Sequence, residues 1–194
     1  MLLSLKAIEN EVIELINVLQ ILLRAVWLAL PAYVANGTPV VVAKMMKLFG
    51  LHRHPIDFGK NFIDGRRIFG DSKSWEGFAS GIIIGTLTSF LQSLHPIIVG
   101  INITVSYGFI SSLGAMMGDL MGAFIKRRLG LKPGEPLPIV DQLMFIVVAM
   151  MLVIGLGLVE ITLLDFIFVL VITFALHILT NALAYLIHLK EVPW

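Results

Sequence analysis

The chain has 194 residues, of which 58% are hydrophobic and 14% charged, with a formal net charge of +1 and no cysteine. Its mean hydropathy of +0.94 excludes a soluble domain of this length, because the excess apolar surface must face lipid. The missing thiols exclude disulfides, thiolate metal sites and cysteine nucleophiles.

The N-terminal residues hold Lys6 as their only base, followed by Glu9, Glu11 and Glu14. No basic segment leads into a short apolar run with a cleavage site, so these residues are expected to stay in the mature protein. An α-helix crosses the hydrocarbon core with about 20 residues. Five stretches meet that measure, at about 13–34, 78–94, 97–117, 143–159 and 166–189. The first is the least apolar, with Asn17, Gln20 and Arg24 inside it, and Arg24 is left without an assigned role. A short polar hinge around Gln92 to Pro96 joins the second and third stretches into a helical hairpin. His177 and Asn181 interrupt the fifth, where interhelical hydrogen bonding is the expected use. The segments are too long and unalternating for barrel strands, and lipid admits only helices or closed barrels. The expected fold class is therefore an all-α integral membrane protein, one domain over residues 1–194.

Bases set the orientation. Lys44, Lys47, Arg53, Lys60, Arg66, Arg67 and Lys73 lie between spans one and two, and Lys126, Arg127, Arg128 and Lys132 between spans three and four. The positive-inside rule places both loops, about 43–76 and 118–142, in the cytoplasm. Five spans then put the N-terminus outside and the C-terminus, with Lys190, inside.

The first loop reads HPIDFGKNFIDGRRIFGDSKSWEGF in its later part. Bases alternate with Asp57, Asp64, Asp71 and Glu76, and glycines punctuate. A solvated loop against anionic headgroups explains the charge pattern. A folded loop whose amides and bases hold phosphates explains the glycines as well. GDSK resembles part of a phosphate loop, but the full GxxxxGK followed by Ser or Thr is absent, which rejects a P-loop NTPase. His52 and His54 are expected to be ordinary loop residues.

In the second loop Gly118-Asp119 stands where span three ends. If the helix continues, Asp119 and Lys126 lie two turns apart on one face. Pro133, Gly134, Pro136 and Pro138 force an extended return that brings Asp141 to the start of span four. Two carboxylates at one depth beside a cluster of bases suit a divalent metal on a polyphosphate, since Mg²⁺ takes one or two carboxylates plus substrate phosphates. The residues alone equally allow Asp119 and Asp141 to be helix caps and the basic run to be a membrane anchor.

Gly118-Asp119, then Lys126-Arg127, then Pro138 and Asp141-Gln142 resemble the signature of CTP-dependent phosphatidate cytidylyltransferases, and more closely their archaeal branch, the CDP-archaeol synthases. Pro31-Ala32-Tyr33-Val34-Ala35-Asn36 is similar to that family's PAYxAN segment. Asp64, Gly65, Arg67 (with Arg66 adjacent), Gly70, Lys73, Trp75 and Gly77 are similar to its loop motif. Gly122, Ala123 and Met144 depart from the bacterial-type signature, which has an acid, a serine and a further acid there. The resemblance implies transfer of cytidylate from CTP to an isoprenoid glycerol phosphate lipid of the geranylgeranyl ether type, releasing pyrophosphate. It implies Asp119, Lys126, Arg127 and Asp141 as catalytic residues, with Mg²⁺ on Asp119 and Asp141. Asn36, Asp64, Arg66, Arg67, Lys73 and Arg128 are implied in substrate binding. CTP, the lipid phosphate and the bilayer are the expected partners, with no nucleic acid, and the oligomeric state stays open. A CDP-alcohol phosphotransferase or a small anion transporter with basic cytoplasmic loops are the alternatives. The first lacks the aspartates its signature needs after Asp64-Gly65, and the second would call for midplane polar residues and internal repeats.

Overall fold

The computed structural model describes residues 2–95 and 101–186. Five helices follow in order: α1 (Leu2–Leu48), α2 (Trp75–Ser93), α3 (Val105–Arg128), α4 (Val140–Gly155) and α5 (Leu163–Leu186). Among the described residues there is no strand, only isolated bridges between Pro55 and Ser74 and between Asn61 and Arg67. Glu9–Leu48, Val105–Arg128 and Leu163–Leu183 are long and apolar enough to cross a membrane, while Val140–Gly155 is apolar but shorter. Pro96, residues 97–100 of the expected third span, 187–189 of the fifth and Lys190 lie outside the described residues.

The first helix differs most from expectation. It does not stop near residue 34 but runs 47 residues through Pro31 and Pro39, roughly 70 Å at 1.5 Å per residue. The first loop therefore begins at 49 rather than 43. A proline inside a helix removes one N–H and leaves the carbonyl four residues earlier without its donor. For Pro31 another helix supplies the donor, Gln92 Nε2 to the Trp27 carbonyl at 2.8 Å, and the Tyr107 hydroxyl bonds the neighbouring Leu28 carbonyl at 2.6 Å. In lipid, where no water can do this, such repair is what permits the proline.

Small residues then bring backbones together. Gly77, Gly81 and Gly85 recur every fourth residue on α2, and Gly114, Gly118 and Gly122 do so on α3. The first row lies on α1: a Cβ at Gly85 would sit 2.7 Å from the Pro31 carbonyl oxygen. The second lies on α4: a Cβ at Gly118 would sit 2.5 Å from the Met144 carbonyl oxygen and 2.7 Å from Phe145 Cα. Close van der Waals packing of this kind drives helix association in membranes, where apolar burial gains nothing. A core of Ala25, Ala29, Ala32, Ala35, Ala115, Ile146, Ala149 and Met150 lies between the helices, and residues such as Val41, Ile83, Leu91, Met151 and Val171 are exposed outward. The two basic loops meet at one end of this bundle, and residues 101–104 lie with the 156–162 connection at the other.

Candidate active site

The first loop is folded around a carboxylate. Asp57 has a fully buried side chain and accepts from the amides of Gly59, Phe69 and Gly70 at 2.9–3.0 Å. It also takes a two-pronged contact from Arg67, at 2.6 and 3.3 Å. Desolvation pushes this carboxyl upward, but the Arg67 guanidinium and the three amides outweigh it and hold it well below the usual carboxylate range. Of the two readings of this loop, the folded one is correct. Its captured anion, however, is its own aspartate, and those three amides are not open to phosphate. The loop ends at Ser74, whose Oγ accepts from Gly77 N and caps α2. His54 pairs with Glu76 through Nδ1, which closes the start of the loop onto the same helix.

That closure sets Lys73 against α3. Lys73 Nζ donates to both oxygens of Asp119, at 2.6 and 2.7 Å. On the facing side Lys126 Nζ donates to both oxygens of Asp141, at 3.0 and 2.7 Å, and the Leu137 amide donates to the same carboxylate at 2.8 Å. Asp141 reaches this position through a tight turn: Val140 N bonds the Pro138 carbonyl at 2.8 Å, with Ile139 between them at φ 70° and ψ −53°. This is the rare γ-turn geometry, strained for a β-branched residue. Gly118 completes the approach, since its missing side chain lets α4 pack directly on α3 one residue from Asp119.

Between these groups lies a cavity of about 560 Å³ lined by Asn36, Lys73, Asp119, Lys126 and Asp141 among others. A narrower cavity of about 140 Å³ shares all five and adds Arg127, Gly122 and Met144. The larger one has polar and apolar walls, the latter including Pro39, Val40 and Phe78. Arg127 is committed to little else: Nη2 meets the Lys132 carbonyl at 3.3 Å, and Nε is buried without a partner.

The structure thus brings together Asn36, Lys73, Asp119, Lys126, Arg127 and Asp141. Asp64, Arg66, Arg67 and Arg128 do not line either cavity. Arg67 is held by Asp57 and Asp71, and Arg128 by Asp64 at 2.7 Å and the Arg67 carbonyl at 2.5 Å. Arg66 donates to the Arg128 carbonyl at 2.6 Å. Asn36 is not a helix-terminal residue, because α1 continues past it. Sequence reasoning missed Arg53, Ser72, Gln142, His177 and Asn181 as cavity-lining residues. The last two were legible: a four-residue spacing puts them on one face of α5, where their side chains also meet at 3.1 Å.

Among the described residues no group of three or more His, Cys, Asp or Glu could hold a metal by itself. The two carboxylates lining one cavity nevertheless fit a divalent metal that arrives with phosphates, for which one or two protein carboxylates suffice.

The family model described as CarS-like CDP-archaeol synthase matches residues 18–194. The CDP-archaeol synthase of Pyrococcus furiosus is 41% identical over 89% of this chain and 98% of that protein. That of Archaeoglobus fulgidus is 41% identical over 91% of this chain and 99% of its own length. A solved structure of an intramembrane enzyme for archaeal membrane lipid biosynthesis superposes with a TM-score of 0.71 at 36% identity, covering 82% of this chain and 94% of that one.

Proposed function

We propose, from the premise that this chain belongs to the CDP-archaeol synthase family, that the cavity between Lys73–Asp119 and Lys126–Asp141 is where it transfers cytidylate from CTP to a lipid phosphate. The chain is a CTP-using nucleotidyltransferase of a multi-pass membrane class, and neither a phosphotransferase nor a transporter is favoured by its relatives. The observation supporting the site is that two carboxylates from different helices share one cavity and each is already engaged by a lysine.

In the reaction an oxygen of the lipid phosphate bonds to the α-phosphorus of CTP. The bond from that phosphorus to the bridging oxygen of the β-phosphate breaks, and pyrophosphate departs with the electron pair. The attacking oxygen is already anionic near neutral pH, so alignment and charge neutralisation matter more than a strong base. An ammonium group has three donors, so Lys73 and Lys126 can each hold a carboxylate and a phosphate oxygen together. Arg127, projecting at the narrower cavity, offers a planar fork to the triphosphate. Asn36 presents its carboxamide to the nucleotide from α1. Asp119 and Asp141 would hold Mg²⁺, which when bound neutralises the phosphates and draws charge from the reacting phosphorus. The lipid phosphate enters from the apolar side, past Pro39, Val40 and Phe78, with its isoprenoid chains left in hydrocarbon. This end of the bundle faces the cytoplasm, where its basic loops belong by the positive-inside rule.

The test is turnover of purified protein with CTP, Mg²⁺ and an isoprenoid ether glycerol phosphate, read as CDP-lipid and pyrophosphate. Asp119→Asn and Asp141→Asn are each expected to lower turnover by at least about a thousandfold while the protein stays folded. Normal turnover in both would remove the site.

A further inference from the structure

Arg128 is placed as if for the substrate, at the end of a basic run beside the cavity, yet both terminal nitrogens of its head are used inside the protein, and its Nε is buried. Nη1 donates to Asp64 at 2.7 Å, and Nη2 to the carbonyls of Arg67 at 2.5 Å and Arg66 at 3.3 Å. The guanidinium lies 4.8 Å from the centre of the Phe62 ring and 4.9 Å from that of Phe124, and those rings meet edge to face at 5.2 Å. Phe62 and Asp64 belong to the first loop, while Phe124 and Arg128 belong to α3. The contact is reciprocal. Arg66 returns from the loop to donate to the carbonyls of Arg128 and Arg127, at 2.6 and 3.4 Å. Those carbonyls end α3, where the last turn runs out of helical donors, and the Arg127 carbonyl also accepts from the Gly130 amide at 3.1 Å. Gly130, at φ +76°, leaves room for the Arg66 head, which a Cβ there would meet at 3.1 Å.

We propose that Arg128 is a positioning residue: it latches the first loop to the end of α3, so that Lys73, farther along that loop, meets Asp119 in the cavity. This rests on the proposed site, and it assigns Arg128 no contact with CTP. The latch needs a flat cation with donors on two separate terminal nitrogens beside the paired rings of Phe62 and Phe124. Lysine offers a point charge and cannot replace it. A phosphate ligand behaves differently, because lysine keeps much of the attraction to an anion.

The experiment pairs steady-state kinetics with amide hydrogen exchange on the full-length protein in detergent, for Arg128→Ala, Arg128→Lys and Asp64→Ala. Helical content by circular dichroism identifies variants that fold, and the lysine and Asp64 variants serve if the alanine at 128 does not. All three are expected to speed exchange across residues 57–70 and to lower kcat/KM, by about a hundredfold for both Arg128 variants, as displacement of a reacting group by an ångström does. In a Lys73→Met background, Arg128→Ala should add less than threefold. Full activity in Arg128→Lys, or unchanged exchange in the folded variants, overturns the latch. Exchange is read without CTP or lipid, so it is independent of the site reading, whose own failure shows as normal turnover in the Asp119 and Asp141 variants.

Discussion

At the scale of single residues, the site depends on what is missing at Gly118 and on what is forced at Ile139. Gly118 lets the backbone of α4 lie against α3, and Asp119 follows it. Adding one methyl there means contact at 2.5 Å with a backbone oxygen, which a packed helix pair relieves only by moving apart. Gly122, one turn on, has its nearest neighbour at 3.6 Å and room for the same methyl. Gly118→Ala is therefore expected to lower kcat/KM by about a hundredfold, and Gly122→Ala to stay within about threefold of the wild type, in the same CDP-lipid assay. Equal effects of the two would mean that the α3–α4 approach does not place the carboxylates. The motif Gly-Asp was visible in the sequence, and its separation from the lysine of the same helix was enough to expect a shared face. The partner of each carboxylate was not. Nothing local pairs Lys73 with Asp119, because that contact depends on how the intervening loop folds. Nor does an isoleucine announce a γ-turn; only the surrounding structure holds it there.

At the scale of elements, hydropathy located the five helices of the described residues but misjudged where they end. Asn36, Gly37 and Pro39 read as a helix stop, since glycine and proline each disfavour continuation. α1 nevertheless continues: Gln92 satisfies the carbonyl that Pro31 frees, and farther on α2 packs its glycines directly on α1 at Ala35 and Pro39, partners that are far away in sequence. The first loop shows the same limit. Its glycines suggested a fold, but which anion its amides would bind was decided by Asp57. That choice has a pH signature. The folded-state pKa of Asp57 lies below its ordinary value of about 4, so its contribution is complete above that value and fades as pH falls below it. The loop should become protease-sensitive on acidification below about pH 4. Asp57→Asn should already be sensitive at neutral pH and should change little with further acid. A wild-type loop equally resistant at pH 2 and pH 7 would contradict this account.

Across the whole molecule, polar groups are divided between two ends with different work to do. One end holds the cavity and its paired lysines and carboxylates. The other holds Arg24, whose Nε donates to Asp165 at 2.8 Å and whose Nη2 donates to the Glu160 carbonyl at 2.8 Å. Asp165 also accepts from the amide and hydroxyl of Thr162, and its own amide donates back to that hydroxyl, a reciprocal cap on the start of α5. An arginine in a nominal membrane span is a functional hypothesis by default. Here its partner is a side chain only 4% exposed at the end of the bundle away from the cavity, and the pair ties α1 to α5. Removing one member leaves the other charge in a poor environment, so Arg24→Leu should cost about 1–3 kcal/mol, less than a fully buried pair because Arg24 keeps contact with the surface. Arg24→Leu combined with Asp165→Asn removes both charges, keeps an acceptor for Thr162 and should recover most of that loss in thermal denaturation in detergent. The KM values for CTP and for the lipid phosphate should stay at wild-type levels in both variants. A large rise in either KM with an unchanged melting temperature would make Arg24 part of substrate handling, and the division of the bundle into a chemical end and a structural end would fail.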